Sequence, residues 1–472
     1  MSDSDPKDQN HSTPDKSLTD QLKPNWVDKL GDVMEHWVPD ALTTAIGLMV
    51  VLVIWSISIK DGSLDTTMSA YYDGLWKFLS FTMQMTLIMV LSLIVTATPV
   101  FKRIVIFIAK TPGNLFQVVL VSSLCGAVLA YLNWGLSLAL SPIIAIHFCR
   151  EAEKKGIAVD FLFLLAIQAG VGSIWQFGLS ASAPLVMASP DQDLVSGVDV
   201  MSLSSTIWST ASIAHVLLFL VACVIAGYIF MPRKVRAISE FGDALRVAES
   251  SITGGEAANI QAHVSPARKL ENSSIVVLPL ALMLTVWLYY HFSVKGLSVD
   301  INSVNTTLLL AAVVLHRNVA SFQEALKDAV ALSWPVVVLY HLYAGVAGLI
   351  QLTPVGDSLV SIIEPISNAY TFPILTIIVS TVVAIFIPTS GGQWAIQGSV
   401  TSAAAEAVGV TPQRALLALS VGDHMGNLLT PFWAVVGANI ARVDFRLIFG
   451  YRLIFAALWF LIGAACFTFL PC

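Results

Sequence analysis

Apolar positions along the chain gather into runs long enough to cross a bilayer, separated by short polar segments. A hydrocarbon core of ~30 Å asks for about 20 apolar residues per helix. On that measure the pattern predicts apolar helices over 41–59, 78–96, 207–231, 275–292, 304–315, 336–352 and 447–470. Residues 1–35 are polar and rich in Ser, Asp and Lys, which predicts a flexible tail. The tail lacks the basic start, short apolar region and small-residue cleavage site of a signal peptide, so the first run is expected to stay as an anchor. A second polar stretch, 232–273, contains Gly254, Gly255 and several bases. It reads as a linker between a first membrane repeat, 36–231, and a second, 274–472.

The two halves echo one another. Trp76 begins one apolar run and Trp334 another, and each run is followed by the same tripeptide: Thr98, Pro99, Val100 and then Thr353, Pro354, Val355. Beyond these, Pro112 and Pro373 each precede an apolar arm that meets a polar tip and resumes. The first tip holds Tyr131, Leu132, Asn133, Trp134 and Gly135; the second holds Pro388, Thr389, Ser390, Gly391, Gly392 and Gln393. At ~1.5 Å per residue, a return arm over 136–148 reaches only about 20 Å, which predicts hairpins that enter the membrane and turn back. Each hairpin is followed by an interrupted span. The run 161–175 is halted at Gln176 to Ser182 and resumes at Pro184, and 415–421 meets Gly422, Asp423, His424, Met425, Gly426 and Asn427 before resuming near Pro431. Proline in a first helical turn, with Ser182 or Thr430 as cap, suits both restarts.

Composition changes the picture only by excluding classes. Hydrophobic residues make up 56% and charged residues 12%, about half the charged share of a soluble protein, so the chain cannot dress a water-facing surface. Net charge is −6, and the bases lie between apolar runs instead of forming a face; no nucleic-acid partner is expected. Cys125, Cys149, Cys223, Cys466 and Cys472 show no CxxC pair or zinc spacing, so neither a disulfide framework nor a metal site is expected. HExxH, GxSxG and GxxxxGK[ST] are all missing from the sequence, which leaves no catalytic or ATP-driven signature and no implied cofactor. If the tail is cytoplasmic, all of the 25 Lys and Arg except Lys60, Lys77, Lys295 and Arg414 fall on the cytoplasmic side, as the positive-inside rule requires. That threading brings the two hairpins in from opposite faces. The expected fold is an all-α polytopic membrane protein of inverted repeats, each with a re-entrant hairpin and a discontinuous helix.

Inverted repeats with broken helices near mid-membrane are the sequence pointer to a secondary transporter's binding site. Unwound backbone is tolerated in hydrocarbon only when buried in protein or lining a cavity, so the four interruptions are expected to meet. Half-helix N-termini carry unpaired N–H groups and the positive dipole end. The restarts near Gly135, Ser182, Gln393 and Thr430 therefore suit a small carboxylate without a buried cation. The candidate substrate-binding residues are Asn133, Trp134, Gly135, Ser180, Ser182, Ser390, Gly391, Gly392, Gln393, Trp394, Asn427 and Thr430. Apolar walls are expected from Trp134, Trp394, Phe432 and Trp433, and a tight turn from Gly391 and Gly392. The competing reading is that the polar members merely satisfy freed backbone groups and that the tryptophans are interfacial anchors. Asp423 is the acidic residue inside an interruption, which makes it the candidate for ion coupling, as proton carrier or cation ligand. His424 beside it is a candidate pH-sensitive donor. Both also have a structural alternative, as hydrogen-bond partners of the surrounding loop.

The run from Pro388 through Trp394, Gln397 and Gly398, the run Gly422 to Asn427, Pro431 with Trp433, the tip Asn133, Trp134, Gly135 and the break Gly178 to Ser182 together resemble the bacterial short-chain fatty acid transporter family. The resemblance covers most of the chain. It implies uptake of small monocarboxylates such as butyrate or acetoacetate across the inner membrane, with H⁺ or Na⁺ as coupling ion. It further implies a homodimer working by an elevator motion, as is common in the ion-transporter superfamily. Asp423 stands where the family usually has Glu, and Gln393 where His is common. A carrier of another small organic anion, such as a dicarboxylate, is the alternative, and a membrane-embedded enzyme is the more distant one.

Overall fold

A computed structural model describes residues 41–77, 79–189, 195, 197–246, 265–363, 367–387 and 389–472. The expected tail, the middle of the expected linker (247–264) and Pro388 of the second tip lie outside the described residues. Among the described residues every regular element is helical.

The first half runs α1 Ala41–Ser58, α2 Leu64–Lys77, α3 Leu79–Ala97, α4 Pro99–Ala109, α5 Leu115–Leu132, α6 Trp134–Lys154, α7 Phe161–Val171, a 3₁₀ segment Gly172–Phe177, α8 Ser182–Met187 and α9 Thr210–Ile229. The second runs α10 Pro266–Glu271, α11 Leu278–Tyr289 extended by a π turn, α12 Ile301–His316, α13 Val319–Gln351, α14 Val355–Ile363, α15 Thr371–Phe386, α16 Ser390–Ala407, α17 Pro412–Leu429, α18 Pro431–Ala441 and α19 Arg446–Phe469. From α3 and from α13 onward the order of elements repeats: a short helix opened by Thr-Pro-Val, a helical hairpin, a helix pair and a closing apolar helix. The tripeptide works as punctuation, with Thr98 extended at the cap of α4 and Pro99 in its first turn, where a missing N–H costs nothing.

Among the described residues, five helices are long and apolar enough to cross a membrane: Leu64–Ala97, Leu115–Leu132, Phe161–Met187, Thr210–Ile229 and Arg446–Phe469. The span expected over 336–352 begins earlier, at Val319, and bends by 46° between Val319–Ala331 and Val336–Gln351. In the sequence Pro335 falls between these two segments, and proline is a residue type that kinks helices. Glu324, Lys327 and Asp328 lie within the first segment of this helix.

Two expectations about length and continuity need correcting. The return arm of the first hairpin is not the short 136–148 segment but α6, a helix of 21 residues, about 31 Å at the α-helical rise. Arg150, Glu151 and Lys154 end the apolar run without ending the helix, because long charged side chains are good helix formers. Its length therefore no longer argues that it stops at mid-membrane. The second correction concerns the break expected at Gly422 to Asn427, where α17 instead runs unbroken from Pro412 to Leu429, with a single extended residue, Thr430, before α18. The glycines serve packing. A Cβ on Gly422 would strike Ile377 O and lie 2.7 Å from Ser380 Cβ; one on Gly426 would lie 2.5 Å from Ala384 Cβ and 2.8 Å from Thr381 O. Gly422 and Gly426 form a small-xxx-small stripe that lets α17 approach α15 closely.

The first half's helix is interrupted earlier than expected, with α7 ending at Val171, the 3₁₀ segment running to Phe177 and α8 starting at Ser182 instead of Pro184, and it lies at the centre. In Phe161–Met187, 78% of the most apolar window is buried, against 39% in each of Leu115–Leu132, Thr210–Ile229 and Arg446–Phe469, so its unwound part is enclosed by protein. The base of α7 is pinned by Asp160, which caps it by accepting from Phe163 N at 2.8 Å. The same carboxylate receives Arg236 Nε at 2.8 Å and Nη2 at 2.9 Å. Arg236 Nη2 also reaches the Tyr451 hydroxyl of α19 at 2.9 Å. One buried ion pair thus ties α7, the chain after α9, and α19.

Candidate functional site

The first tip is compressed to one residue. Asn133 is extended, ends α5 and begins α6, and its Oδ1 accepts from Gly135 N at 2.8 Å, Leu136 N at 3.0 Å and the Ser92 hydroxyl at 2.7 Å. The tip is stitched to the break behind it: Trp134 N donates to Ser180 Oγ at 2.8 Å and Leu179 N to Tyr131 O at 2.7 Å. The second tip reaches the same break, because Gly391 N donates to Ser182 Oγ at 2.9 Å. Thr389 donates from its hydroxyl to that of Tyr340 on α13. From the restart of the second half, Trp433 meets Trp134 edge-on with ring centroids 6.3 Å apart. Both tips and both restarts therefore converge, joining residues from opposite ends of the chain.

Two small cavities open at this junction. One, of about 70 Å³, is lined by Trp134 from the first tip, Ser182 from the first restart, Thr389 and Ser390 from the second tip, and Asn427 and Trp433 from the second helix pair, with Tyr340 behind them. The other, of about 120 Å³, shares Trp134, Trp175, Asn427 and Trp433 and extends past Ser137, Gln168, His424 and Arg452.

The expected residues divide by where they fall. Trp134, Ser182, Ser390 and Asn427 line a cavity, as does Trp433. Ser390 Oγ and Asn427 Oδ1 are buried there without a hydrogen-bond partner. Asn133 and Ser180 are buried behind the walls, and their oxygens serve freed backbone N–H groups. Ser182, expected as a cap, is the first residue of α8; Ala181 holds the cap position, which leaves the hydroxyl for Gly391. Thr430 does stand at the cap of α18, but its hydroxyl turns back to Asn427 O at 3.3 Å. Gly391 and Gly392 lie in the first turn of α16 and not in the tight turn expected of them; with Gly135 they are close-approach positions, where an added Cβ would lie 2.6 Å from Phe81 Cζ, 2.8 Å from Thr389 Cγ2 and 2.6 Å from Ser92 Cβ respectively. Gln393 is fully buried and bonds Ser380 O at 2.9 Å and Gln397 Oε1 at 2.8 Å. Trp394, expected as a wall, is fully buried in the core against Gly398 and lines neither cavity. Trp175 supplies aromatic surface at the junction instead, with its ring 6.3 Å from that of Trp134. The side chain of Phe432 lies outside the described residues.

Asp423 and His424 are on a helix, not in a loop. Asp423 is fully buried; its Oδ2 accepts from Gln176 Nε2 at 2.6 Å and Asn427 Nδ2 at 3.1 Å, while Oδ1 has no partner. His424 lines the larger cavity with neither ring nitrogen bonded, between Trp175 at 5.8 Å and Trp459 at 5.2 Å. Among the described residues, no three of His, Cys, Asp and Glu gather as they would around a metal ion.

Three residues at the junction escaped the sequence reading. Gln176 was visible as part of the first break but not as a partner of Asp423. Gln168 lies inside the apolar run of α7 and lines the larger cavity with both amide atoms unpaired. Arg452 lies near the start of α19, where a sequence count assigns it to the cytoplasmic side. It is 3% exposed, lines the larger cavity, and donates to Asn427 O at 3.2 Å and Thr430 O at 3.4 Å. An isolated cation inside an apolar helix was the available signal. The expectation of a site without a buried cation is corrected by its position.

Comparisons with known proteins fit this architecture. The family model described as "Short chain fatty acid transporter" matches residues 27–469. A protein of Escherichia coli (strain K12), provisionally described as a short-chain fatty acid transporter, is 26% identical over 438 residues, spanning 92% of this chain and 97% of that protein. One from Haemophilus influenzae with the same description is 26% identical over 443 residues, spanning 91% and 96%. Among solved structures, the YdaH transporter of Alcanivorax borkumensis, described as having an unusual topology, aligns with a TM-score of 0.55 over 90% of this chain and 98% of its own, at 13% identity. At that identity the likeness concerns the fold alone.

Proposed function

The chain belongs to the short-chain fatty acid transporter family, and from that premise we propose that it is a secondary active carrier of small monocarboxylates such as butyrate and acetoacetate, taken up by symport with H⁺ or Na⁺. The observation that carries this reading is the convergence of both tips and both restarts on one pair of small cavities. Half-helix N-termini around such a cavity suit an anion, and the indoles of Trp134, Trp175 and Trp433 suit a short alkyl chain.

In this reading the substrate sits at the junction against Trp134 and Asn427, which line both cavities, with Ser182 and Ser390 on the smaller cavity beside it. Asn133, Ser180, Gly135, Gly391, Gly392, Gln393, Trp394 and Thr430 hold the geometry around it. Asp423 is the coupling group. One of its carboxylate oxygens is held by Gln176 and Asn427, and the other is free to take a proton or contribute to a cation's shell. Because Gln176 belongs to the first half and Asp423 to the second, loading the carboxylate bears on the contact between halves. His424 adds a second polar group on the same cavity.

The hairpins enter from opposite faces of the bacterial inner membrane, with the N-terminus and the linker in the cytoplasm. The hairpins and interrupted helices move together against the remaining helices in an elevator-type exchange of access, within a homodimer. The decisive experiment is uptake of labelled butyrate and of succinate into proteoliposomes under separately imposed proton and sodium gradients. Butyrate accumulation driven by one of the gradients is expected. Transport of succinate without butyrate would overturn the assignment.

A further inference from the structure

We propose that Arg452 is the carboxylate-binding group of the larger cavity, gripping the acid end of the substrate while Trp134, Trp175 and Trp433 enclose its alkyl end. The inference rests on the monocarboxylate reading and adds to it a side-chain anchor that lies outside both tips and both breaks.

Four observations carry it. Arg452 is a nearly fully buried cation lining a cavity, and among the described residues it pairs with no Asp or Glu. Its Nη donors reach only Asn427 O at 3.2 Å and Thr430 O at 3.4 Å, longer than the ~2.7–2.9 Å of a strong charge-assisted bond. Its Nε has no partner at all. A structural role exists, since these two carbonyls close the C-terminus of α17, where a cation is favourable. That role accounts for two weak contacts, but not for the unpaired Nε or for the guanidinium facing a cavity. A buried charge without a counterion is a costly arrangement, and a planar fork of donors is matched by a carboxylate.

The walls of the cavity agree. On the polar side Gln168 and His424 present side-chain nitrogens with no protein partner. Three indoles, those of Trp134, Trp175 and Trp433, contribute aromatic surface to the same cavity. One cation and several aromatic rings lining a single cavity suit a small amphiphilic acid. Among the described residues, Arg452 is the one Lys, Arg, Asp or Glu lining this cavity, so a second carboxylate would find no matching charge among them.

The test uses the full-length protein in nanodiscs, with intrinsic tryptophan fluorescence to titrate butyrate and its neutral isostere butyramide. The wild type is expected to bind butyrate at least tenfold more tightly than butyramide. Arg452→Gln is expected to bring butyrate down to the level of butyramide while leaving butyramide unchanged. Arg452→Lys, which keeps the charge but loses the fork, is expected to fall between. In the unmutated protein, butyrate but not butyramide is expected to protect Arg452 from phenylglyoxal, read by peptide mass spectrometry, so the proposal is testable even if substitution weakens folding. Equal modification with and without butyrate, or a folded variant that keeps the wild-type butyrate preference, overturns the role of Arg452 while leaving butyrate transport standing. Binding of succinate but not butyrate, lost in Arg452→Gln, would instead overturn the monocarboxylate reading and support Arg452 as a carboxylate anchor.

Discussion

The side-chain amide of Gln176, in the 3₁₀ segment of the first half, donates to the carboxylate of Asp423, in the continuous α17 of the second, at 2.6 Å and across 247 positions of sequence. The same nitrogen also donates to Ser420 O at 2.9 Å, so it fastens both a backbone carbonyl and a side chain of α17. Asn427, one turn further along α17, donates to the same carboxylate oxygen at 3.1 Å, so the first half supplies the shorter of its two bonds and the surroundings of Asp423 are complete only when the halves are assembled.

Asp423→Asn keeps a side chain of the same shape and an oxygen to accept from Gln176, but it can carry neither a proton nor a charge. Gradient-driven accumulation of butyrate in proteoliposomes is expected to be lost, while exchange of internal for external butyrate persists. Full accumulation by this variant would remove Asp423 from the coupling role.

Gly422→Ala and Gly426→Ala place a methyl against Ile377, Ser380, Thr381 and Ala384 of α15. Overpacking of this kind costs about 1–3 kcal/mol. Thermal unfolding in detergent should show a lower midpoint for each variant. Gly47→Ala, which meets nothing within 4 Å, serves as the control and is expected to leave the midpoint unchanged or raise it.

Asp160→Asn removes the charge that Arg236 grips through Nε and Nη2 while sparing the cap of α7. Breaking a buried pair from one side costs roughly 3–5 kcal/mol. The expected outcome is a strong loss of stability on denaturant unfolding, with the double variant Asp160→Asn, Arg236→Met recovering part of it. Equal stability of wild type and single variant would contradict the role given to this pair.

Trp433→Ala opens one aromatic wall shared by both cavities. Burial of a methylene is worth about 0.8 kcal/mol, so the two methylenes separating acetate from butyrate correspond to roughly tenfold in affinity. Wild-type competition assays should prefer butyrate by about that factor, and the variant should compress the preference while retaining acetate transport. An unchanged ratio would place the alkyl chain elsewhere.

The helices, the two tips, the first break and the paired Thr-Pro-Val signals follow from the chain itself, because apolar runs, proline and polar tips act over a few residues and need no distant partner. So does the family membership, carried by the runs around Ser390 and Asp423. What only the tertiary structure decided are relations between elements. Gly422 and Gly426 read equally well as breakers or as close-approach positions, and the presence of α15 against them selects the second. Trp394 sits at a tip in sequence yet turns into the core, and Trp175 takes a place at the junction. Arg452 counts as one more base near a helix end until α19 is packed against α17, where its guanidinium meets the last carbonyls of that helix and the cavity. Local pattern sets where backbone can be helical; which way a buried side chain faces depends on neighbours hundreds of residues away, and no periodicity encodes that.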